Sequence, residues 1–207
     1  MKIFSICCVL CMGCCFAGEL QSEPAAENDD EASLKSGEEI KCQSPDGKFA
    51  MLLSDDSDGY KVQLVEVSSR QPVVELAANV AYPPVKKCKL LWSPDSKRVA
   101  FFEANRRGGD TTVYFRNESG FEKKPLPEWP GCGETAKKDK DKTYKGLESN
   151  IAPKEWLKSG ALVVVEVQGW ETVSKELRSC TQTVTIAFDA RHKASIQSVR
   201  REKLKRH

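Results

Sequence analysis

The side chains that most often carry catalysis are few in this sequence, and their spacing fits no common catalytic motif. The two histidines, His192 and His207, both lie in a strongly basic stretch near the C-terminus. Such a stretch is expected to move, and mobile residues are poorly preorganised for nucleophilic or metal chemistry. The sequence also lacks a Gly-x-Ser-x-Gly elbow, a His-Glu-x-x-His helix and a phosphate-binding glycine-rich loop. We therefore expect no catalytic residues and no enzyme activity.

The aspartates of the loop 54–59, Ser-Asp-Asp-Ser-Asp-Gly, come nearest to a metal-binding pattern. A calcium loop of the EF-hand type carries acids at alternate positions and a glutamate at the twelfth. Counted from Ser54, the twelfth position is Val65, so the pattern fails and the loop is interpreted as a solvated hairpin connection. Beyond residue 18 the sequence has no Cys-x-x-Cys pair and no Cys/His cluster. We expect neither a metal site nor a cofactor.

Two further carboxylates, Asp46 and Asp95, occupy the same place in two copies of one motif. The segments Ser-Pro-Asp-Gly-Lys (44–48) and Ser-Pro-Asp-Ser-Lys (93–97) lie 49 residues apart, and each precedes an apolar run. Proline presets φ for a turn, and the aspartate hydrogen-bonds to the backbone two residues on. The pair therefore indicates two turns rather than an acid–base site. Repeats of roughly 40–50 residues are typical of blade-type β units.

The elements that surround these turns are predicted to be strands. Apolar or alternating runs, bounded by polar and glycine-bearing loops, predict strands at 49–53, 60–67, 71–76, 98–103, 111–116, 121–126, 161–167 and 181–189. In the third and degenerate unit, the continuous run Leu162–Val165 is typical of a strand that is buried on both faces.

The segments Gln43–Leu53 and Trp92–Phe102 resemble the TolB-type (PD40) β-propeller repeat, whose pattern is Trp-Ser-Pro-Asp-Gly-Lys followed by an apolar strand. The first copy has Gln43 in place of the tryptophan, and the third unit matches only in Trp156, Gly160 and its strand. The resemblance implies antiparallel, blade-type sheets. Closed propellers typically have four to eight blades. Three units therefore imply an open stack, or a ring that partner chains complete.

The predicted fold class is all-β, with about three propeller-like antiparallel sheet repeats in one domain, residues 39–190. The units are placed at about 39–80, 87–127 and 152–190, with a lysine-rich insertion at 128–150. Residues 19–38 are acidic and poor in large apolar side chains, which predicts a disordered linker. Residues 191–207 carry seven basic groups against Glu202 alone and are predicted to be a basic tail.

The N-terminus predicts export. Lys2 precedes an uncharged apolar stretch that ends at Ala17-Gly18, which is typical of a signal peptide covering residues 1–18. The stretch is shorter than the roughly 20 apolar residues of a transmembrane helix. Cys11-Met-Gly-Cys14 resembles a bacterial lipobox, so lipidation of Cys14 is the alternative. The protein is expected in the periplasm or cell envelope, or secreted, and at a membrane only if Cys14 is lipidated.

Four cysteines follow the signal peptide: Cys42, Cys88, Cys132 and Cys180. In an exported protein, four cysteines predict two disulfides with three possible connectivities. We predict Cys42–Cys88, because both precede the first strand of adjacent units, and Cys132–Cys180, because both lie in loops that flank the third unit.

A partner protein or a second copy of the chain is the predicted ligand, with no nucleic acid involved. Candidate partner-binding residues are Val73 and Val74, in the last strand of the first unit, and Trp129 and Trp170, in predicted loops. Two alternatives stay open. One is an accessory domain or enzyme for carbohydrate or peptide substrates. The other is a protein that binds anionic surfaces through its lysine-rich loop and basic tail.

Overall fold

A computed structural model describes residues 38–56, 59–80, 88–105, 108–131, 142–172, 175–202 and 205–206, and the structural statements below concern these residues. They form thirteen β-strands and no helix, which confirms the predicted all-β class. Within these ranges, accordingly, no helical segment is long and apolar enough to cross a bilayer.

The first four strands form an antiparallel sheet in chain order, here called blade 1. They are β1 (Glu38–Lys41), β2 (Phe49–Asp56), β3 (Gly59–Glu66) and β4 (Pro72–Val80). The Pro-Asp-Gly turn connects β1 to β2, and β2 and β3 pair without interruption from Phe49 with Glu66 to Asp56 with Gly59.

The remaining strands form a nine-stranded sheet made of two further four-stranded units. Blade 2 contains β5 (Cys88–Trp92), β6 (Arg98–Asn105), β7 (Gly108–Asn117) and β8 (Gly120–Lys124). Blade 3 contains β9 (Lys142–Trp156), β10 (Leu162–Thr172), β11 (Leu177–Phe188) and β12 (Ala194–Arg201), and the short β13 (Lys205–Arg206) pairs with β11. The three four-stranded units agree with the three predicted repeats.

A short parallel pairing joins blades 2 and 3. Gly108 and Gly109, at the start of β7, pair with Ser149 and Asn150 of β9, whereas the second half of β7 pairs with β8. A Cβ atom at Gly108 would collide with the backbone of Ser149, and the φ of Gly108 is +145°. Only glycine fits this close approach of two backbones.

Two hydrophobic clusters hold the blades together, one on each face of blade 2. Alternate residues of β6 point to opposite faces, so Val99 and Phe101 pack toward blade 1 and Ala100 packs toward blade 3. The cluster between blades 1 and 2 contains Phe49, Met51, Leu53, Val62, Leu64, Cys88, Val99, Phe101, Tyr114 and Phe121. The cluster between blades 2 and 3 contains Ala100, Val113, Phe115, Ile151, Trp156, Leu162, Val164, Val184 and Ile186.

The structure places the start of the third unit and the start of the basic tail differently from the prediction. The third unit begins at Lys142, inside the predicted insertion 128–150, because β9 extends far enough to pair along β10. The predicted basic tail contains β12, which pairs with β11. Ala194 and Ile196 of β12 pack against the cluster between blades 2 and 3, so apolar contacts at alternate positions order a stretch of basic composition.

Candidate protein-binding surface

The three turns that open the repeats close in the same way. The backbone N–H of Ser44 donates to Phe49 O and that of Gly47 donates to Ser44 O. Ser93 and Ser96 repeat this pattern in blade 2, and Leu157 and Gly160 form a version that is one residue shorter in blade 3. The third unit is therefore a true repeat, although its turn has lost the Pro-Asp sequence.

The aspartates of the first two turns stabilise those turns and do not form a reactive pair. Ser44 Oγ donates to Asp46 Oδ1 at 2.6 Å, and Lys48 N–H donates to the same oxygen at 3.2 Å. Asp95 makes the equivalent contacts with Ser93 Oγ at 2.5 Å and Lys97 N–H at 3.1 Å. The structure thus agrees with the interpretation of both carboxylates as turn residues.

Each of these carboxylates also contacts an arginine, and each has a pKa below its ordinary value. Burial raises the pKa of Asp46, but the hydrogen bonds from Ser44 and Lys48 and the charge of Arg116 outweigh burial, so the pKa lies below its ordinary value. The pKa of Asp95 is lowered in the same way, with Arg98 as its cation. Both groups are therefore carboxylates over the physiological range, which suits an ion pair and not a proton donor.

Tryptophan side chains connect each blade to the blade before it. Trp92 Nε1 donates to Cys42 O at 2.7 Å, and Trp156 Nε1 donates to Leu91 O at 3.0 Å. Cys42 and Leu91 are equivalent, since each lies two residues before the first residue of its turn. At the position of these tryptophans blade 1 has Gln43, whose Nε2 donates to Gly47 O in its own turn at 3.0 Å.

Two arginines strengthen the same contacts. Arg98 Nη1 donates to Gly160 O at 2.9 Å, and its guanidinium lies 5.3 Å from the centroid of the Trp156 ring. Arg116 lies 4.5 Å over the Phe49 ring and pairs with Asp46 at 3.2 Å. Trp92 and Trp156 thus pack between sheets, because both belong to the packing of the two clusters.

A shallow cavity of about 430 Å³ lies where the first turn meets the connection between β3 and β4. Its charged lining residues are Lys48, Glu66 and Arg116. Arg116 already pairs with Asp46, and in the described part of the chain no group of three or more His, Cys, Asp or Glu side chains could hold a metal ion. The cavity therefore offers no constellation of groups suited to catalysis.

The buried carboxylate of Glu166 is a structural group. Glu166 is 1% exposed and accepts a hydrogen bond from Gln182 Nε2. Gln182 Oε1 in turn accepts from Arg201 Nε at 3.2 Å. The three residues lie on β10, β11 and β12, so they link the edge strand of blade 3 to its centre. Substrate has no access to this carboxylate.

Of the four predicted partner-binding residues, Trp170 is buried and the other three are partly buried. Val73 and Val74 both pack against the cluster between blades 1 and 2, because a β-bulge places one extra residue of β4 opposite β3. Trp170 lies in β10, not in a loop, and is 3% exposed. Trp129 is half-buried against the cluster between blades 2 and 3. The prediction for Trp170 is therefore corrected, whereas partner binding at Val73, Val74 and Trp129 stays a prediction.

The predicted Cys42–Cys88 disulfide is also corrected. Cys88 is a buried thiol at the start of β5, whereas Cys42 O lies next to the indole of Trp92 at the opposite end of that strand. Four residues of a strand span about 13 Å, which exceeds the roughly 7 Å that a disulfide can bridge between Cα atoms. Cys132 and Cys14 lie outside the described residues, so the Cys132–Cys180 bridge and the lipidation of Cys14 stay predictions.

The outer face of blade 3, which points away from blade 2, is the open sheet surface of the described structure. Val163, Val165 and Val167 of β10 point to this face, with Thr181, Thr183, Thr185 and Ala187 of β11 beside them. Val167 is 38% exposed and Val165 is half-buried. The expectation that Leu162–Val165 is buried on both faces therefore fails beyond Val163.

The outer face of blade 1 is different. Ala50, Leu52 and Val65 point away from blade 2, because their neighbours in sequence form the cluster on the other side. All three are nevertheless buried. The two ends of the stack are thus unequal, and blade 3 carries the accessible end.

Comparison with known proteins gives no family. No family model matches the chain, and no curated protein matches it. Among solved structures, the chain is similar to TolB from Acinetobacter baumannii, with 10% sequence identity and a TM-score of 0.30. The match covers 78% of this chain and 44% of that one. At this TM-score the likeness supports no conclusion about function.

Proposed function

We propose that this protein is an exported, non-enzymatic β-repeat protein that binds another protein at the cell envelope through the outer face of blade 3. Export rests on the N-terminal sequence, with its charged start and apolar stretch up to Ala17.

The observation that carries the proposal is the exposure of an uncharged sheet face. Both faces of blade 2 are covered by the neighbouring blades, and this packing buries the two hydrophobic clusters. Blade 3 presents a face of valines and threonines of which Val167 is 38% exposed. Exposed apolar patches bounded by polar residues typically mark interaction sites.

The chemistry of the described residues supports a binding role over an enzymatic one. The turn aspartates Asp46 and Asp95 are held by their own turns, and Glu166 is enclosed beneath blade 3. His192 packs against the Phe115 ring with the centroids 4.3 Å apart. None of these groups lines a cleft together with a second reactive group.

The test is site-specific photo-crosslinking of the exported protein in an envelope extract. A photoreactive residue in place of Thr183 lies on the outer face of blade 3, and the same residue in place of Glu122 lies on the exposed strand β8 as a control. We expect defined protein adducts from position 183 and not from position 122. Equal adducts at both positions, or none at position 183, would contradict the proposal.

A further inference from the structure

The outer face of blade 3 carries opposite charges on its two outer strands. Val163 of β10 lies between Glu155 of β9 and Thr185 of β11. In the next row, Arg200 of β12 lies beside Thr183. Glu155 and Arg200 are both exposed. An uncharged centre is thus flanked by Glu155 on one side and Arg200 on the other, with exposed Lys154 next to Glu155 and exposed Glu202 beyond Arg200.

This arrangement is complementary to itself under one particular two-fold rotation. A rotation about an axis parallel to the strands and lying in the interface places β9 of one copy opposite β12 of the other. Each Glu155 then faces the partner copy's β12, where the residue at position 200 is arginine. The two residues are offset by one row, about 7 Å along the strands, which the long arginine side chain can span. A two-fold interface uses one patch on both subunits, so a single rotation forms two such ion pairs.

The alternative rotation, about an axis perpendicular to the strands, places like charges opposite each other. It would bring the two Glu155 side chains together and likewise the two Arg200 side chains, which costs free energy at any interface. Charge therefore selects one of the two face-to-face arrangements. Sheets that pack face to face lie about 10 Å apart with their strands roughly aligned, and the selected arrangement fits this geometry.

The area of the outer face of blade 3 indicates how tightly two copies are expected to bind. Four strands about 4.8 Å apart, followed over seven residues, give a face of about 19 by 20 Å, or about 400 Å² for each copy. The total of about 800 Å² lies below the roughly 1,200 Å² of standard specific interfaces, so the contact can only be weak and transient. A weak dimer follows, with a dissociation constant on the order of tens of micromolar.

We propose that the partner of this face is a second copy of the chain, packed sheet to sheet about a two-fold axis parallel to the strands and flanked by two Glu155–Arg200 ion pairs. The inference rests on the proposed function, because it names the partner of the same face.

The test is sedimentation equilibrium of the mature protein from low micromolar to several hundred micromolar concentration. The wild type should pass from monomer to dimer. Val165→Lys places a charge at the centre of the interface and should weaken the dimer at least about a hundredfold. Glu122→Gln, at an exposed position of β8, changes the net charge by the same amount elsewhere and should leave the dimer unchanged. Far-UV circular dichroism and thermal unfolding verify that each variant is folded.

Charge reversal tests the geometry without touching the apolar centre. Glu155→Arg or Arg200→Glu alone replaces two attractive contacts with two repulsive ones and should weaken the dimer about tenfold. The double variant restores opposite charges and should recover wild-type affinity to within about threefold. A wild type that stays monomeric, a Val165→Lys variant that still dimerises, or a double variant as weak as the single ones would overturn the proposal.

The sedimentation and photo-crosslinking experiments can contradict the two-fold dimer and the proposed function separately. Adducts at position 183 with the mass of a dimer, together with reversible sedimentation, support the second copy. Adducts only with other proteins from a strict monomer preserve the proposed function and overturn the two-fold dimer.

Discussion

The interfaces on the two faces of blade 2 use the same geometry with different side chains. Toward blade 1, Trp92 stacks at 6.5 Å from Phe49 and meets Phe121 edge-on at 5.7 Å. Toward blade 3, Trp156 lies in a mostly aliphatic cluster beneath Arg98. In both interfaces, however, an indole N–H donates to the equivalent carbonyl of the preceding blade.

Backbone pairing marks the larger difference. Blades 2 and 3 share one nine-stranded sheet through β7 and β9, whereas blade 1 is a separate sheet. Thr111 Oγ1 also donates to Ile151 O at 2.5 Å across the joint between blades 2 and 3. Among the described residues, blade 1 is therefore held to blade 2 by side-chain contacts, and blades 2 and 3 form a continuous support for the binding face.

The largest expected effect comes from removing the tryptophan between blades 2 and 3. Trp156→Ala should lower the free energy of unfolding by about 4 kcal/mol, because it leaves a cavity in a buried cluster. Trp92→Ala should cost less, about 2 kcal/mol, because Trp92 is only half-buried. Urea unfolding of both variants measures the difference. Equal losses of unfolding free energy, or a larger loss for Trp92→Ala, would contradict the difference between the two interfaces.

The joint between β7 and β9 is tested by a matched pair of glycine substitutions. Gly108→Ala combines an unfavourable φ with a collision against the Ser149 backbone, whereas Gly120→Ala has a similar φ but meets Val73 Cγ1 at 3.0 Å and no backbone atom closer than 3.8 Å. Strain alone costs about 1–2 kcal/mol at each site. We expect Gly108→Ala to cost about 2 kcal/mol more than the control, from lost strand pairing. Equal losses in thermal unfolding would mean that the pairing contributes little.

The ion pair between Asp46 and Arg116 links blades 1 and 2 and should depend on pH. The pKa of Asp46 is lower in the folded protein than in the unfolded chain, where it is about 3.9. The Asp46 carboxylate therefore stabilises the fold above the unfolded pKa, and this contribution disappears as pH falls through the folded pKa. Asp46→Asn should cost up to about 1 kcal/mol at neutral pH, because the pair is partly exposed. The difference from wild type should shrink toward zero in unfolding measurements below pH 3. A constant difference would show that charge is not its cause.

The smallest expected effect concerns the reactivity of the buried thiol of Cys88, in the cluster between blades 1 and 2. Burial and the charge of Glu103 raise the pKa of Cys88 to about 11. Below about pH 9 the folded protein should therefore resist alkylation at Cys88, and the unfolded protein should react. Mass spectrometry after iodoacetamide treatment measures this. A peptide joined by a Cys42–Cys88 disulfide would contradict the structure at this point.

Local chemistry made the repeats predictable. Pro45 with Asp46 and Pro94 with Asp95 define turns within five residues, and the alternation of Thr183, Thr185 and Ala187 identifies one face of β11. The equivalence of positions 43, 92 and 156 could also be predicted from the sequence. Their partners could not, because Trp92 and Trp156 bind carbonyls 50 and 65 residues away.

The sequence did not predict the features that depend on the surroundings of a strand. A bulge in β4 turns Val73 and Val74 toward the same cluster, and no residue type in that strand signals it. Trp170 is buried because β10 and its neighbours extend well beyond the predicted strand. The basic stretch after Asp189 is ordered by two apolar contacts from Ala194 and Ile196, which its composition conceals.

Native-state hydrogen exchange with mass spectrometry tests most directly the claim that blades 2 and 3 form one rigid support and that blade 1 is attached by side chains alone. The amides of β2 and β3 should exchange through an opening of lower free energy than those of β6, β10 and β11. Trp92→Ala should speed exchange in blade 1 only. A single opening free energy for all three blades, or exchange that begins in β10 and β11, would contradict the claim.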